Sequence, residues 1–372
     1  MVEIREVKTK KERKEFVEFP LNLYKGNEYF VPPLYRDEMN IFSPKYVYYE
    51  QAEAVYYNAY RDGKIVGRIS GILQKAANDK WGQKRVRFTR FDTIDDQEVA
   101  TALLDTVEQW AKSKGMEEVV GPLGFSDLER EGLLIEGFDQ MNTFEEQYNY
   151  DYYQRLIEAR GYTKDVDWLE HQIRVPKEGF DPRYKSISDK MLERYHLHFG
   201  KARNTRQFVR KYANDIFHIW DETYDQIYGT VPFTDKLKKS MIAQFKLLIN
   251  MKFIRVLYDD NNNLVAFGFM FPSISDAVRP SGGRMTLPCL IRLLRAIRKP
   301  KVVDLAIIGV TDQYKNKGLS AAILASFGEE FGGSVEHGES NLMLEHNMPI
   351  LNSLKYFDVV QNKRRRCFIK KL

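Results

Sequence analysis

The stretch VTDQYKNKGLSAAIL, Val310 to Leu324, sets a glycine, two lysines and small polar side chains between two apolar runs. LAIIGV before it has the composition of a buried strand, and LSAAILASF after it that of a helix beginning near Lys317. The first amides of such a helix have no partner inside it, and its dipole adds partial positive charge there. Gly318 lets a ligand approach the backbone with no Cβ in the way. Ser320 keeps the next position small, and Lys315 and Lys317 add full charges. That combination suits a phosphate or diphosphate. Neither GxGxxG nor GxxxxGKS/T occurs, so the dinucleotide fingerprint and the P-loop are not the source of that chemistry.

The order Lys315-Asn316-Lys317-Gly318-Leu319-Ser320, basic-x-x-Gly-x-small, resembles the acyl-CoA-binding loop of the GCN5-related N-acetyltransferase (GNAT) superfamily, where Gln/Arg-x-x-Gly-x-Gly/Ala is usual. The apolar strand in front resembles the family's fourth strand. LEHNMPILNSLKYF resembles its Asn-x-x-Ala helix, with Asn347 and Ile350 on the matching positions. The resemblance implies acetyl-CoA, or another acyl-CoA, as cofactor. Backbone groups of Ile307, Ile308, Gly309 and Val310 would pair with the pantetheine arm, and Asn347 would hydrogen-bond it. The amides from Asn316 to Ser320 would hold the pyrophosphate. It also implies direct acyl transfer to an amine on a small molecule or peptide, with the Val310 amide as donor to the thioester carbonyl. The family's acid, a Tyr seven residues after the Asn, falls here on Leu354, which leaves Tyr356 as the expected acid. Glu345 and His346, at the mouth of the expected cleft, are the candidates for the base. Three readings follow: an N-acetyltransferase, a CoA-binding module without turnover, and a FemX-like transferase taking aminoacyl-tRNA.

Two halves repeat one order of elements. In the first, strand VEIREV and helix KKERKEFVEFPLNLY lead to a hairpin around Arg61-Asp62-Gly63. The strand KRVRFTRFDTI, the helix DDQEVATALLDTVEQWAKSKGM and further strands follow. In the second, a hairpin around Asp-Asp-Asn-Asn-Asn precedes VVDLAIIGV and the helix after Gly318. Tyr60–Gly67 and Tyr258–Ala266 can be laid on each other. The expected fold is α+β: two GNAT-like domains, 1–178 and 179–372, each a mixed, mostly antiparallel sheet flanked by helices. The boundary is expected within 175–185, rich in Pro, Gly and charge. The first half's equivalent turn, DTIDDQEVATALL, offers Asp95 and Asp96 where the second offers glycine and lysine. Those acids cap a helix themselves and repel phosphate, so only the second half is expected to bind CoA.

The loop GPLGFSDLEREGLLIEGFD, 121–139, holds Ser126, Asp127, Glu129 and Glu131, which would receive a cationic amine or else form a solvated acidic loop. LPCLIRLLRAIRKPK, 287–301, sets Arg292, Arg295 and Lys299 at helical spacing. It suits a membrane surface, the cofactor's 3′-phosphate, or plain packing on the sheet. NKRRRCFIKK reads most simply as a terminal strand with exposed cations.

A length of 372 residues points to two domains. An aromatic share of 13% suggests well-packed cores and an aromatic-lined cleft. Net charge of +5 is a mild bias that fits an anionic cofactor, nucleic acid or a solvated basic surface alike, and no aromatic–basic interleaving of an RNA-binding kind occurs. Cys289 and Cys367 form no CxxC, so no zinc or redox motif is expected, and so few thiols fit a reducing cytoplasm. His196 and His198 alternate, a pattern commoner for surface or core histidines than for metal ligands. No run reaches the roughly 18 apolar residues of a membrane span, and MVEIREVKTKKERKEF lacks a signal-peptide core. Oligomeric state and the acceptor's identity are not written in the sequence.

Overall fold

The computed structural model describes residues 1–176, 181–328, 330, 334–355 and 357–372, with only the backbone of 245–248. Its strands are β1 (Glu3–Glu6), β2 (Ala52–Arg61), β3 (Lys64–Gln74), β4 (Arg85–Thr93), β5 (Glu118–Gly121), β6 (Leu133–Glu136) and β7 (Thr163–Arg174) in the first half. The second half contributes β8 (His198–Phe199), β9 (Ile254–Tyr258), β10 (Leu264–Pro272), β11 (Val302–Val310), β12 (His337–Ser340), β13 (Met343–Leu344) and β14 (Val359–Lys371). The helices are α1 (Lys10–Leu23), α2 (Tyr35–Asn40), α3 (Lys75–Trp81), α4 (Gln97–Ser113), α5 (Tyr152–Glu158) and α6 (Arg183–Arg194). After them come α7 (Thr205–Tyr224), α8 (Asp235–Leu248), α9 (Ser275–Val278), α10 (Leu287–Arg298), α11 (Leu319–Ser326) and α12 (Met348–Leu354). The expected α+β class and the flanking helices hold in both halves.

Both hairpins form where the turn chemistry placed them. Asp62 and Gly63 have φ of 50° and 74° between β2 and β3, and Asn262 has φ of 61° between β9 and β10. Asp and Asn tolerate this left-handed region better than other side-chain-bearing residues.

All strands join one mixed sheet in the order β1-β2-β3-β4-β5-β14-β7-β12-β11-β10-β9-β8, with β6 on β14 and β13 on β7. The halves exchange their last strands. β7, which ends the first half, pairs antiparallel with β12 of the second. β14, which ends the chain, pairs antiparallel with β5 of the first. The expected boundary at 178/179 falls within 177–180, outside the described residues.

Each half has its own apolar core. Val99, Ala100, Leu103, Leu104 and Val107 of α4 pack with Val86, Phe88 and Phe91. Leu319, Ile323 and Leu324 of α11 pack with Val303 and Leu305. A third core spans the halves, joining Tyr48, Ile72 and Phe125 to Phe208, Trp220 and Phe267.

The seam between β7 and β14 corrects the reading of NKRRRCFIKK as exposed. Lys363 and Arg365 are fully buried, and both bond the equally buried Glu170, at 3.1 and 2.6 Å. Lys363 also reaches Glu339 at 3.3 Å, and Arg366 reaches Asp167 at 2.8 Å. The 121–139 loop likewise contains a strand, β6, paired to β14.

Candidate functional site

The site begins where two parallel strands part. β11 pairs with β12 only from Val302 to Leu305. Asn341 closes that split: its backbone amide donates to Leu305 O at 3.0 Å, and its Nδ2 to Ala306 O at 2.9 Å. Beyond it, Ile307 to Val310 pair with β10 on one edge and have no strand on the other among the described residues. Gly309 is fixed by packing, since a Cβ there would sit 2.4 Å from Phe267 Cε1.

The loop after β11 runs through Asn316 at φ 60° to Gly318 at φ 80°, which occupies the N-cap of α11 with no side-chain cap. A side chain at that φ is strained, and its Cβ would also meet Met191 Cε at 3.1 Å. The first intrahelical bond is Ala322 N to Gly318 O at 3.0 Å; among the described residues the amides of Gly318, Leu319, Ser320 and Ala321 have no partner within the chain. Free amides at a helix start, a backbone that only glycine adopts without strain, and an open strand edge fit a diphosphate followed by an extended, amide-bearing arm.

These groups line one cavity of about 1130 Å³. Ile308, Val310, Lys315, Asn316, Gly318, Leu319, Ser320, His346 and Asn347 open onto it. Gly309 and Lys317 do not. The Lys317 ammonium lies over the Tyr195 and Tyr314 rings, 5.6 and 5.1 Å from their centroids, and Lys315 pairs with Asp312. Glu345 also stays off the cavity wall: it bonds Lys164 at 2.7 Å and accepts from the Asp167 amide at 3.3 Å. His346 is largely exposed, its Nε2 3.5 Å from Glu345. Leu354 is buried in the second core, and Tyr356 lies outside the described residues.

The far wall comes from the first half. Of the four polar residues in its loop, two serve the loop itself. Ser126 Oγ is 3.0 Å from Tyr48 Oη, and Glu129 accepts from Tyr46 and from the Phe125 amide. Asp127, Glu129 and Glu131 line the cavity, joined by Glu145 and Glu146. Glu131 is 4% exposed, and among the described residues its Oε1 has no hydrogen-bond partner. Burial, then the nearby Asp127, pushes its carboxyl well above the usual range. Burial raises Asp127 to about 6 and Glu146 to about 8, the latter despite Arg365. Arg87 stands among them, donating to Gly124 O and Gly229 O at 3.0 Å each.

Sequence reasoning missed Tyr224. At the end of α7 it reaches into the strand gap and donates to Ile308 O at 3.1 Å, and burial pushes its phenol upward. No local signal marks it, because it sits in a helix already rich in core aromatics. Glu145 and Glu146 were missed as well; they read as loop acids until the cavity is seen.

In the first half, the corresponding helix start is filled by the chain's own acids. Asp96 accepts from the Val99 amide at 3.2 Å, and Arg61 forks to Asp96 and Glu98 at 2.7 Å each.

No protein-family model matches the sequence. Protein YghO of Escherichia coli is 25% identical over 376 residues, covering 99% of this chain and 95% of that protein. A bacterial ceramide synthase of Caulobacter vibrioides is 24% identical over 283 residues, 75% of this chain and 72% of that protein. A solved tandem GNAT protein from the clavulanic acid biosynthesis pathway matches all of this chain and 98% of its own, with a TM-score of 0.58 at 10% identity. A GCN5-related N-acetyltransferase from Sphaerobacter thermophilus matches all of this chain and 95% of its own, with a TM-score of 0.50 at 10% identity. With two like halves on one sheet, β11 parting from β12 in the second and these structural counterparts along its whole length, the chain has the tandem GNAT fold.

Proposed function

We propose that this chain is an acyl-CoA-dependent N-acyltransferase whose active site is built by both halves. One observation carries the reading: a single cavity runs from the free amides of α11, past the open edge of β11, to the buried carboxyl groups of Glu131 and Glu146 in the first half. The amides from Gly318 to Ala321, with Lys315, bind the diphosphate. The β11 edge and Asn347 hold the pantetheine arm. Bound acyl-CoA supplies a thioester, an acyl group activated toward an amine. Asp127 and Glu131 receive the acceptor's ammonium as a pair with one proton between them, and the ionised member takes a proton from it. The Val310 amide is the donor for the carbonyl oxygen. Tyr224 places a phenolic hydrogen-bond donor in the gap, where it stabilises the departing thiolate.

Phe208, Ile216, Trp220, Ile249 and Phe271 give the cavity apolar walls. That supports a long alkyl chain on donor or acceptor over an acetyl group alone. A ceramide is the amide of a fatty acid and a long-chain amino alcohol, so the activity named for the Caulobacter relative belongs to the same class, N-acylation of an amphiphilic amine.

Leu354, buried where the family has its acid, favours a second reading, a CoA-binding module without turnover. Calorimetric titration with CoA, acetyl-CoA and palmitoyl-CoA, followed by thiol release with long-chain amines, tests both. Micromolar binding with release supports the enzyme. Binding without release supports the module, and no binding of any of the three overturns both.

A further inference from the structure

Nine large hydrophobic side chains are exposed among the described residues, and five of them, Met285, Leu287, Leu290, Ile291 and Leu294, fall within ten positions. Four of these sit on α10 at i, i+3, i+4 and i+7, the spacing that normally points a stripe into a core. Here the stripe points out: Leu287 is 71% exposed and Leu294 53%. The inner side is held by other groups. Cys289 is fully buried against Val31, Ile274 and Val278, with Leu293 beside it, and Arg292 Nε donates to Ala277 O at 3.1 Å. Packing of the apolar stripe on the sheet, one of the sequence readings, does not occur.

The segment carrying the stripe is itself basic, and only its ends, at Arg279, Arg284 and Lys301, are paired with acids from elsewhere. From Ala277 to Lys301 the chain carries seven lysines and arginines and no acid. Arg295, Arg298 and Lys299 are exposed, and among the described residues no carboxylate pairs with them. A helix with exposed leucines flanked by unpaired cations lies well in the plane of a lipid–water interface, with the leucines among the acyl chains and the cations at anionic headgroups.

We infer that α10 docks this chain on the surface of an anionic lipid bilayer. The site adjoins the cavity. Asn250 Nδ2 donates to Ile297 O at the end of α10 at 3.3 Å, and the neighbouring Ile249 is part of the cavity wall. A bilayer seated on α10 therefore lies against the structure that bounds the cavity. The inference stands on the helix alone, because docking needs no acyl-CoA.

The test is co-sedimentation of the full chain with vesicles of phosphatidylcholine alone and of phosphatidylcholine with phosphatidylglycerol. The expected result is binding to the anionic vesicles that weakens with salt. The paired change Leu287→Glu and Leu294→Glu should abolish it without altering the thermal midpoint, since these are the two most exposed leucines of the stripe. The pair Arg295→Gln and Arg298→Gln should weaken it roughly tenfold or more. Absence of binding to either vesicle overturns the inference. So does equal binding to both vesicles, and so does a concentration-dependent dimer, seen by analytical ultracentrifugation, that the leucine changes dissolve, because a second copy would then cover the stripe. Acyl-CoA titration of the same proteins reports separately on the acyltransferase reading.

Discussion

Asp127 and Glu131 show how a side chain's surroundings decide its chemistry. Both belong to an acidic loop that would be ordinary in water, but the cavity withholds the solvent that stabilises charge. Glu131→Gln keeps the shape and removes the proton acceptor. It should leave acyl-CoA affinity unchanged and lower kcat by roughly 100-fold, measured by thiol release at saturating donor. Asp127 also makes a stability prediction. Its folded value of about 6 lies above the ordinary 3.8, so its contribution is fully present below about 3.8 and is lost as pH rises through about 6. Asp127→Asn should therefore flatten the fall in urea-unfolding stability across that window. That Lys315, Asn316, Gly318 and Ser320 face one cavity was legible because they are neighbours on the chain, whereas Lys317 turns to the Tyr195 and Tyr314 rings. Glu345 and Tyr224 were not legible, since the partners that define them, Lys164 and Ile308, are brought by distant elements.

At the scale of elements, α11 begins at a glycine that no other residue replaces without strain, and its free amides depend on that start. Gly318→Glu adds both strain and a negative charge facing the cavity, and should weaken acyl-CoA binding by roughly tenfold or more; calorimetry with palmitoyl-CoA checks it. The seam of β7 and β14 makes a different demand. Lys363→Met leaves Glu170 and Glu339 short of a buried cation and should cost about 3–5 kcal/mol, read from the urea midpoint. Sequence hid this seam. The cations of NKRRRCFIKK run without a break from Lys363 to Arg366, as on a solvated tail, and nothing local in DVDWLEHQ sets Glu170 apart; only the pairing of Arg365 with Trp168 and Lys363 with Glu170 puts the buried groups against each other. The same limit applied to α10, whose helical spacing was plain while the direction of its apolar stripe was not.

At the scale of the whole molecule, two similar halves were legible because each carries its own hairpin, strand and helix in the same order. Their exchange of strands was not, because a strand's composition does not say which sheet it joins. We propose 1–178 and 179–372 as the two domains in sequence, though neither owns a complete sheet. Expressed as separate chains, each should unfold without a cooperative thermal transition, and the two should co-purify when produced together. A sharp transition in 1–178 alone would refute this. The exchanged strand also has a consequence in time. Phe368 completes the ladder beside Gly121. At about 5–20 residues per second, a ribosome holds β5 with an open edge for roughly 10–50 s before its partner exists. During synthesis the first half is thus an unfinished sheet whose exposed strand invites pairing with other nascent chains. This chain should therefore depend on chaperones while it is being made far more than its finished, edge-sealed form does.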